Sequence, residues 1–265
     1  MMGTKRRASR DMARMDGKHF SLDSVLTVLS FLILVVVVVI PMVMIVYNTF
    51  FYEGKFDTSL FTQIILDPGN VAAMWNTIKI ALLVTLFGTI IGLFFAWLLG
   101  RSDIPLKGLM RSMFTIPYMF PPFFGAMAWE LLLSPRSGYL NKWLMATFGL
   151  SKAPFNINSI GGIIFVECSY YFPFVFMQVV SALERMDPTL EESARIAGAK
   201  QWYVIRRITM PLVLPATSAG ALLILTSSLS HFGVPSILGF SKKIYTLPTR
   251  ICLLYTSDAA DDLIG

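Results

Sequence analysis

Five stretches of this chain are long enough and apolar enough to cross a lipid bilayer: residues 25–50, 76–99, 113–133, 160–183 and 208–230. A helix that spans the hydrocarbon core needs about 20 mostly apolar residues. With no water inside the bilayer, every backbone N–H and C=O must also be paired within the segment. Few architectures satisfy both conditions, and the pattern predicts an all-α polytopic transmembrane helix bundle. Charge content agrees, since only 14% of residues are charged against about 25% in soluble domains. The run 25–46 is too long for the apolar core of a signal peptide and no A-x-A-like site follows it, so it reads as a retained first span.

Charge placement orients the spans. Lys5, Arg6, Arg7, Arg10, Arg14 and Lys18 crowd the N-terminus. If that end is cytoplasmic, the second and fourth connections are cytoplasmic too. These carry Arg101, Lys107 and Arg111, then Arg185, Arg195, Lys200, Arg206 and Arg207. The outer connections carry only Lys55, then Arg136, Lys142 and Lys152. Span parity and the positive-inside bias therefore agree on a cytoplasmic N-terminal tail, 1–24. The net charge of +6 is accounted for by these clusters, with no basic stripe interleaved with aromatics to bind nucleic acid. In the outer connection 134–159, Tyr139, Leu140, Trp143, Leu144 and Phe148 have the spacing of a short helix lying along the interface. Trp75, Trp97, Trp129 and Trp143 fall near span ends, as interfacial anchors do.

Ionisable groups inside spans are costly and usually face a bundle interior or a water path. Glu167 and Glu130 are thus the candidate translocation-path residues, Glu167 the stronger because it lies nearer mid-helix. His231 is expected at an outer interface rather than on a metal. Cys168 and Cys252 make no disulfide framework. No cluster of nucleophile, base and metal ligands suggests an enzyme or a bound cofactor. Pro117, Pro121, Pro122, Pro173 and Pro215 are expected to interrupt their helices.

Between the fourth and fifth spans the chain reads Asp187-Pro-Thr-Leu-Glu-Glu-Ser-Ala-Arg-Ile-Ala-Gly198 and runs on to Ile208-Thr-Met-Pro211. Asp187 is a good N-cap and Pro188 suits the first helical position. Glu191 and Glu192 favour the positive end of the helix dipole, and Glu191 is spaced to pair with Arg195. Gly198 supplies a left-handed stop. A short helix, a sharp turn and a second helix re-entering the membrane follow. The chain holds no G-x-x-x-x-G-K-[ST] phosphate loop.

Glu192, Ser193, Ala194, Gly198, Ile208, Met210 and Pro211 resemble the EAA loop of ABC importer permeases, E-A-A-x3-G-x9-I-x-L-P, with five of seven positions agreeing; Ser193 and Met210 depart conservatively. Trp75-Asn-Thr77, Pro117, Pro121-Pro122, Ser228-Leu-Ser-His-Phe-Gly-Val-Pro235 and Leu247-Pro-Thr249 are similar to permeases of the iron(III) group. Permeases for polyamines and 2-aminoethylphosphonate are close relatives of that group. The resemblance implies a type I permease domain over 25–251 with its EAA loop at 184–211, in the bacterial inner membrane. It implies alternating access driven by a separate ABC ATPase dimer that holds the ATP. A periplasmic substrate-binding protein and a second permease half are implied partners, with iron(III) as cargo. An ATP-independent secondary transporter or channel is the rival class, and would have no use for residues 192–211.

After Ile251 the resemblance calls for a sixth span. Residues 252–265 instead resemble the translation of a sequencing-adapter end and are expected to be non-native, so Asp258, Asp261 and Asp262 are not a metal site.

Overall fold

The computed structural model describes residues 22–52, 55–56, 58–102 and 104–264. The N-terminal basic cluster and nearly all of the expected tail 1–24 lie outside the described residues, as do the side chains of Asp258, Asp261 and Asp262. The chain forms two compact units, Met1–Leu66 and Asp67–Gly265.

In the first unit, α1 (Leu22–Leu34) passes through a π turn at Val35–Val39 into α2 (Ile40–Phe50). The continuous stretch Ser24–Phe50 is long and apolar enough to cross a membrane, close to the expected first span. It ends in a two-residue hairpin, β1 (Phe51–Tyr52) against β2 (Lys55–Phe56), with Phe51 opposite Phe56. Helix α3 (Ser59–Leu66) follows, its Phe61 ring 5.2 Å from that of Phe50.

The second unit is built on three long helices: α4 (Pro68–Arg101), α8 (Ile160–Arg185) and α11 (Met210–Leu229). Their shared core buries Ile80, Val84, Val175, Phe176, Val179 and Ile224. Glycines set the separation. A Cβ on Gly92 would strike the Phe172 carbonyl and Val175, and one on Gly220 would strike the Val175 backbone and the Phe174 carbonyl. Helix α8 is thus clasped from both sides by small residues, the usual device where apolar burial alone cannot pull helices together.

The expected third span is two helices, α5 (Lys107–Met119) and α6 (Pro122–Leu133). Together they run antiparallel along α8. Arg111 meets Glu184, Phe114 meets Phe176, Tyr118 meets Phe174, Trp129 meets Phe165, and Glu130 meets Asn158 beyond the start of α8. The break falls at Phe120 and Pro121, because a proline disfavours helical geometry in the residue before it and donates no N–H. Pro117, Pro173 and Pro215 lie inside helices that continue through them. Only the Pro121-Pro122 pair therefore interrupts, contrary to the expectation for the other three.

The fifth span also starts earlier than expected. Helix α10 (Gln201–Val204), a π turn at Ile205–Thr209 and α11 form one helical stretch, Gln201–Leu229. Among the described residues, four helical stretches are long and apolar enough to span a membrane; the α5–α6 pair is not among them.

At the end of the bundle away from Arg101, α7 (Tyr139–Phe148) is the amphipathic helix read from the sequence. Asn141, buried beneath it, donates to the carbonyls of Leu133, Ser134 and Phe155 and accepts from the Phe155 N–H. Helix α12 (Gly233–Leu238) packs there too, and the Trp75-Asn-Thr77 motif explains itself by reaching the segment after it. Asn76 donates to the Tyr245 carbonyl, and Thr77 Oγ1 accepts from the Leu247 N–H at 2.7 Å. Helix α13 (Leu247–Ile264) ends the described chain.

Candidate functional site

The segment 184–211 forms an elbow at the bundle end that carries Arg101, Arg111 and Arg185. Helix α9 (Thr189–Ile196) starts where the Asp187 carboxylate accepts the Thr189 N–H at 2.9 Å. That backbone bond, helped by the Thr189 side chain, holds the Asp187 carboxyl below the ordinary aspartate range. Pro188 sits at the cap rather than at the first helical position, a one-residue difference from expectation. The helix ends in a Schellman motif. Gly198 N–H bonds the Arg195 carbonyl, Ala199 N–H bonds the Ala194 carbonyl, and Gly198 has φ +87°. Nothing lies within 4 Å of a Cβ at Gly198, so its requirement is conformational and not steric.

Glu191 anchors this elbow. It does not pair with Arg195. Its carboxylate is buried, accepting from Arg101 Nε at 3.0 Å and from Thr209 Oγ1 at 2.6 Å. Arg101 in turn donates to the Leu183 and Gly100 carbonyls, both at 3.3 Å. One largely buried ion pair thus joins the end of α4, the end of α8, the elbow helix and the π turn leading into α11. The other motif residues face outward or are half-buried: Glu192, Ser193, Gly198 and Pro211 are exposed, Ala194 and Ile208 partly so. The elbow also exposes large apolar side chains, with Ile196 88%, Trp202 70%, Tyr203 57% and Leu190 47% accessible. On an elbow as polar as this one, such an exposed apolar group is a candidate partner surface.

The two candidate path carboxylates part company. Glu130 is half-buried and accepts from Asn158 Nδ2 at 2.7 Å, a bond that ties α6 to the loop before α8. Glu167 has no exposed surface at all. Ser228 Oγ donates to one oxygen and His231 Nδ1 lies 3.1 Å from the other. Glu167 thus faces the interior of the bundle, and His231 stands in front of it. His231 is no lone interface residue either, since its ring also packs edge-on against Tyr171. Among the described residues no group of three or more His, Cys, Asp or Glu converges to hold a metal.

Sequence reasoning missed the Arg101–Glu191–Thr209 node and the Glu167–Ser228–His231 cluster. Both join residues tens of positions apart, beyond any local spacing rule. The detectable signals were two adjacent glutamates where the loop motif uses one, and an arginine closing a span.

Comparison with known proteins places this architecture. The family described as binding-protein-dependent transport system inner membrane component matches residues 88–256. The molybdenum transport system permease protein ModB of Escherichia coli (strain K12) is 35% identical over 172 residues, covering 64% of this chain and 72% of that protein. The sulfate transport system permease protein CysW of Synechocystis sp. (strain ATCC 27184 / PCC 6803 / Kazusa) is 28% identical over 233 residues, 87% of this chain and 81% of its own. The spermidine/putrescine transport system permease protein PotB of Escherichia coli (strain K12) is 27% identical over 228 residues, 83% of this chain and 81% of its own. The crystal structure of a bacterial alginate ABC transporter, in complex with alginate pentasaccharide-bound periplasmic protein, shares the fold. Its TM-score is 0.73 at 20% identity, covering 94% of this chain and 86% of that one. The chain therefore belongs to the binding-protein-dependent inner membrane component family: it is a membrane permease of an ABC importer, not an enzyme, in a system where a separate ATPase powers transport.

Proposed function

We propose that the elbow 184–211 is the surface on which the ATPase docks, and that α9 transmits the closure of the ATPase dimer into the spans. The observation that supports this is the pairing, within one elbow, of exposed apolar side chains (Leu190 and Ile196 on α9, Trp202 and Tyr203 on α10) with a buried anchor, Glu191, on α9. A face seats a partner in a groove, and an anchor makes the resulting push act on α4, α8 and α11 together. The elbow then lies in the cytoplasm and the N-terminus with it, as the basic residues around the elbow favour. ATP stays on the ATPase and this chain binds no cofactor. A periplasmic binding protein delivers cargo at the opposite end, and a second permease half completes the path.

None of the relatives named above is a permease for iron(III), so the iron(III) reading rests on the sequence resemblance alone, chiefly Phe232-Gly-Val-Pro235 and Leu247-Pro-Thr249. Their names favour a small oxyanion or a polyamine as cargo. Co-purification tests the docking reading. The tagged chain is expected to retain the Walker-motif ATPase encoded with it, and Ile196→Glu with Trp202→Glu to release it while the permease stays in the membrane. Undiminished ATPase capture by that double variant would reject the elbow as the docking surface.

A further inference from the structure

A groove of about 270 Å³ lies at the elbow end of the bundle, between α4 and the stretch that runs from α10 into α11. Val179 and Leu183 of α8 and Val213 of α11 are buried and form its floor. Phe94 and Trp97 of α4, Trp202 of α10 and Met210 of α11 are exposed and form its rim. The groove therefore faces away from the core, toward whatever surrounds the bundle. Trp202 and Val213 stand about 16 Å apart along the helix, so the groove reaches from the polar end of that stretch into its apolar part. Apart from the two indole N–H groups, Thr209 brings the only polar side-chain atom to the wall among the described residues, and its Oγ1 already donates to Glu191.

Charge is confined to the elbow end. Residues 200–213 carry Lys200, Arg206 and Arg207 and no acid. All three are exposed, and none pairs with the described residues. Arg206 follows Trp202 by one helical turn and precedes Met210 by another, which places it on the face that lines the groove. Arg101, one turn beyond Trp97, is committed to Glu191, and Glu184 is bound to Arg111. The ends of α4 and α8 thus bring no free carboxylate to these cations. The elbow's other acids, Asp187 and Glu192, lie before its turn at Gly198.

We propose that this groove binds one anionic phospholipid of the leaflet on the elbow side, an acyl chain lying on Val179, Leu183 and Val213 and the phosphate meeting Arg206 and Arg207. The proposal rests on the permease reading, which sets the elbow at the cytoplasmic face, and goes beyond it by adding a lipid to the joint. A polar solute would lose its hydration against these walls and gain no hydrogen bond in return. An acyl chain loses nothing there and covers apolar surface. Indoles at the rim suit the headgroup boundary, having an apolar body and one polar N–H. Unpaired basic side chains beside a cleft between spans on the cytoplasmic side select acidic headgroups. Trp202 lies where the groove meets the docking surface, so the lipid would touch the three spans that the Arg101–Glu191 pair also joins.

The chain has five tryptophans, and Trp75→Phe, Trp129→Phe and Trp143→Phe together leave Trp97 and Trp202 as reporters. Nanodiscs of phosphatidylcholine receive small shares of phosphatidylglycerol, or of further phosphatidylcholine, with brominated acyl chains that quench indole fluorescence. The signal is the quenching lost when Trp97 and Trp202 are also changed to Phe. Brominated phosphatidylglycerol is expected to reach half-maximal quenching at a mole fraction about tenfold below that of brominated phosphatidylcholine. Arg206→Gln with Arg207→Gln is expected to abolish that preference. Equal quenching by the two lipids, quenching by neither, or a preference that survives the double glutamine variant would each overturn the proposal. The measurement is made on the chain alone and on the complex assembled with its ATPase. The same preference in both supports the lipid, whereas quenching confined to the chain alone would give the groove to a protein partner and overturn it. ATPase co-purification is read on the same preparations. A retained ATPase with no lipid preference rejects this inference and leaves the permease reading standing.

Discussion

Glu191 shows how much one side chain can carry. Its carboxylate satisfies Arg101 Nε and Thr209 Oγ1 away from water, and removing one partner of a buried ion pair strands the other. Glu191→Ala is therefore expected to cost about 1–3 kcal/mol of stability and to uncouple ATP hydrolysis from uptake, whereas Glu192→Ala, at an exposed position, leaves stability within about 0.5 kcal/mol. Thermal unfolding in detergent measures the first difference, and reconstituted uptake per ATP measures the second. Gly198→Ala adds no clash, so its effect isolates the left-handed φ: about 1–2 kcal/mol of local cost, seen as faster hydrogen exchange across α9. Asp187 has its folded pKa depressed, so its cap is intact above the unfolded value near about 4 and is lost as pH falls through the lowered folded value. Exchange protection of α9 is expected to drop on acidification in that window, and Asp187→Asn to remove the dependence.

Among elements, the long spans were readable because burial in lipid imposes a length and a composition that local sequence displays directly. The elbow was readable too, since caps, a glycine stop and a proline act within a few residues of one another. Two features were not. The division of the third span needed the tandem prolines weighed against an otherwise apolar run, and apolarity dominated. The early start of the fifth helical stretch was hidden because Gln201, Arg206 and Arg207 are polar, yet their backbone is helical before the chain reaches the apolar zone. The role of Glu167 was half legible: its mid-helix position flagged it, while its partners, 61 and 64 residues away, could not be seen. The clasp on α8 supplies a test at this level. Gly220→Val pushes a branched side chain into the Val175 backbone and is expected to cost about 1–3 kcal/mol or more, lowering the detergent melting temperature. Gly108→Val, with nothing within 4 Å of its Cβ, is expected to do much less.

For the molecule as a whole, sidedness is the property on which the functional reading depends. A cysteine placed at Ser193 is expected to react with a membrane-impermeant maleimide only in inverted vesicles, and one at Lys142 only in right-side-out cells; the reverse pattern would put the elbow outside. One backbone detail then bears on how such a machine keeps time. Both π turns end at a residue whose N–H reaches back five positions, Ile40 to Val35 and Met210 to Ile205, and in each case the next residue is a proline. A π turn holds one residue more than an α turn, so closing it to α geometry would rotate everything on one side by about 100° relative to the other. Pro211 obstructs that closure, because its ring clashes with the carbonyl four residues back. Under the proposed docking role, the motif proline is expected to act as an angular stop, fixing the phase between the elbow and the bundle so that a stroke arrives as translation and is not spent winding the helix.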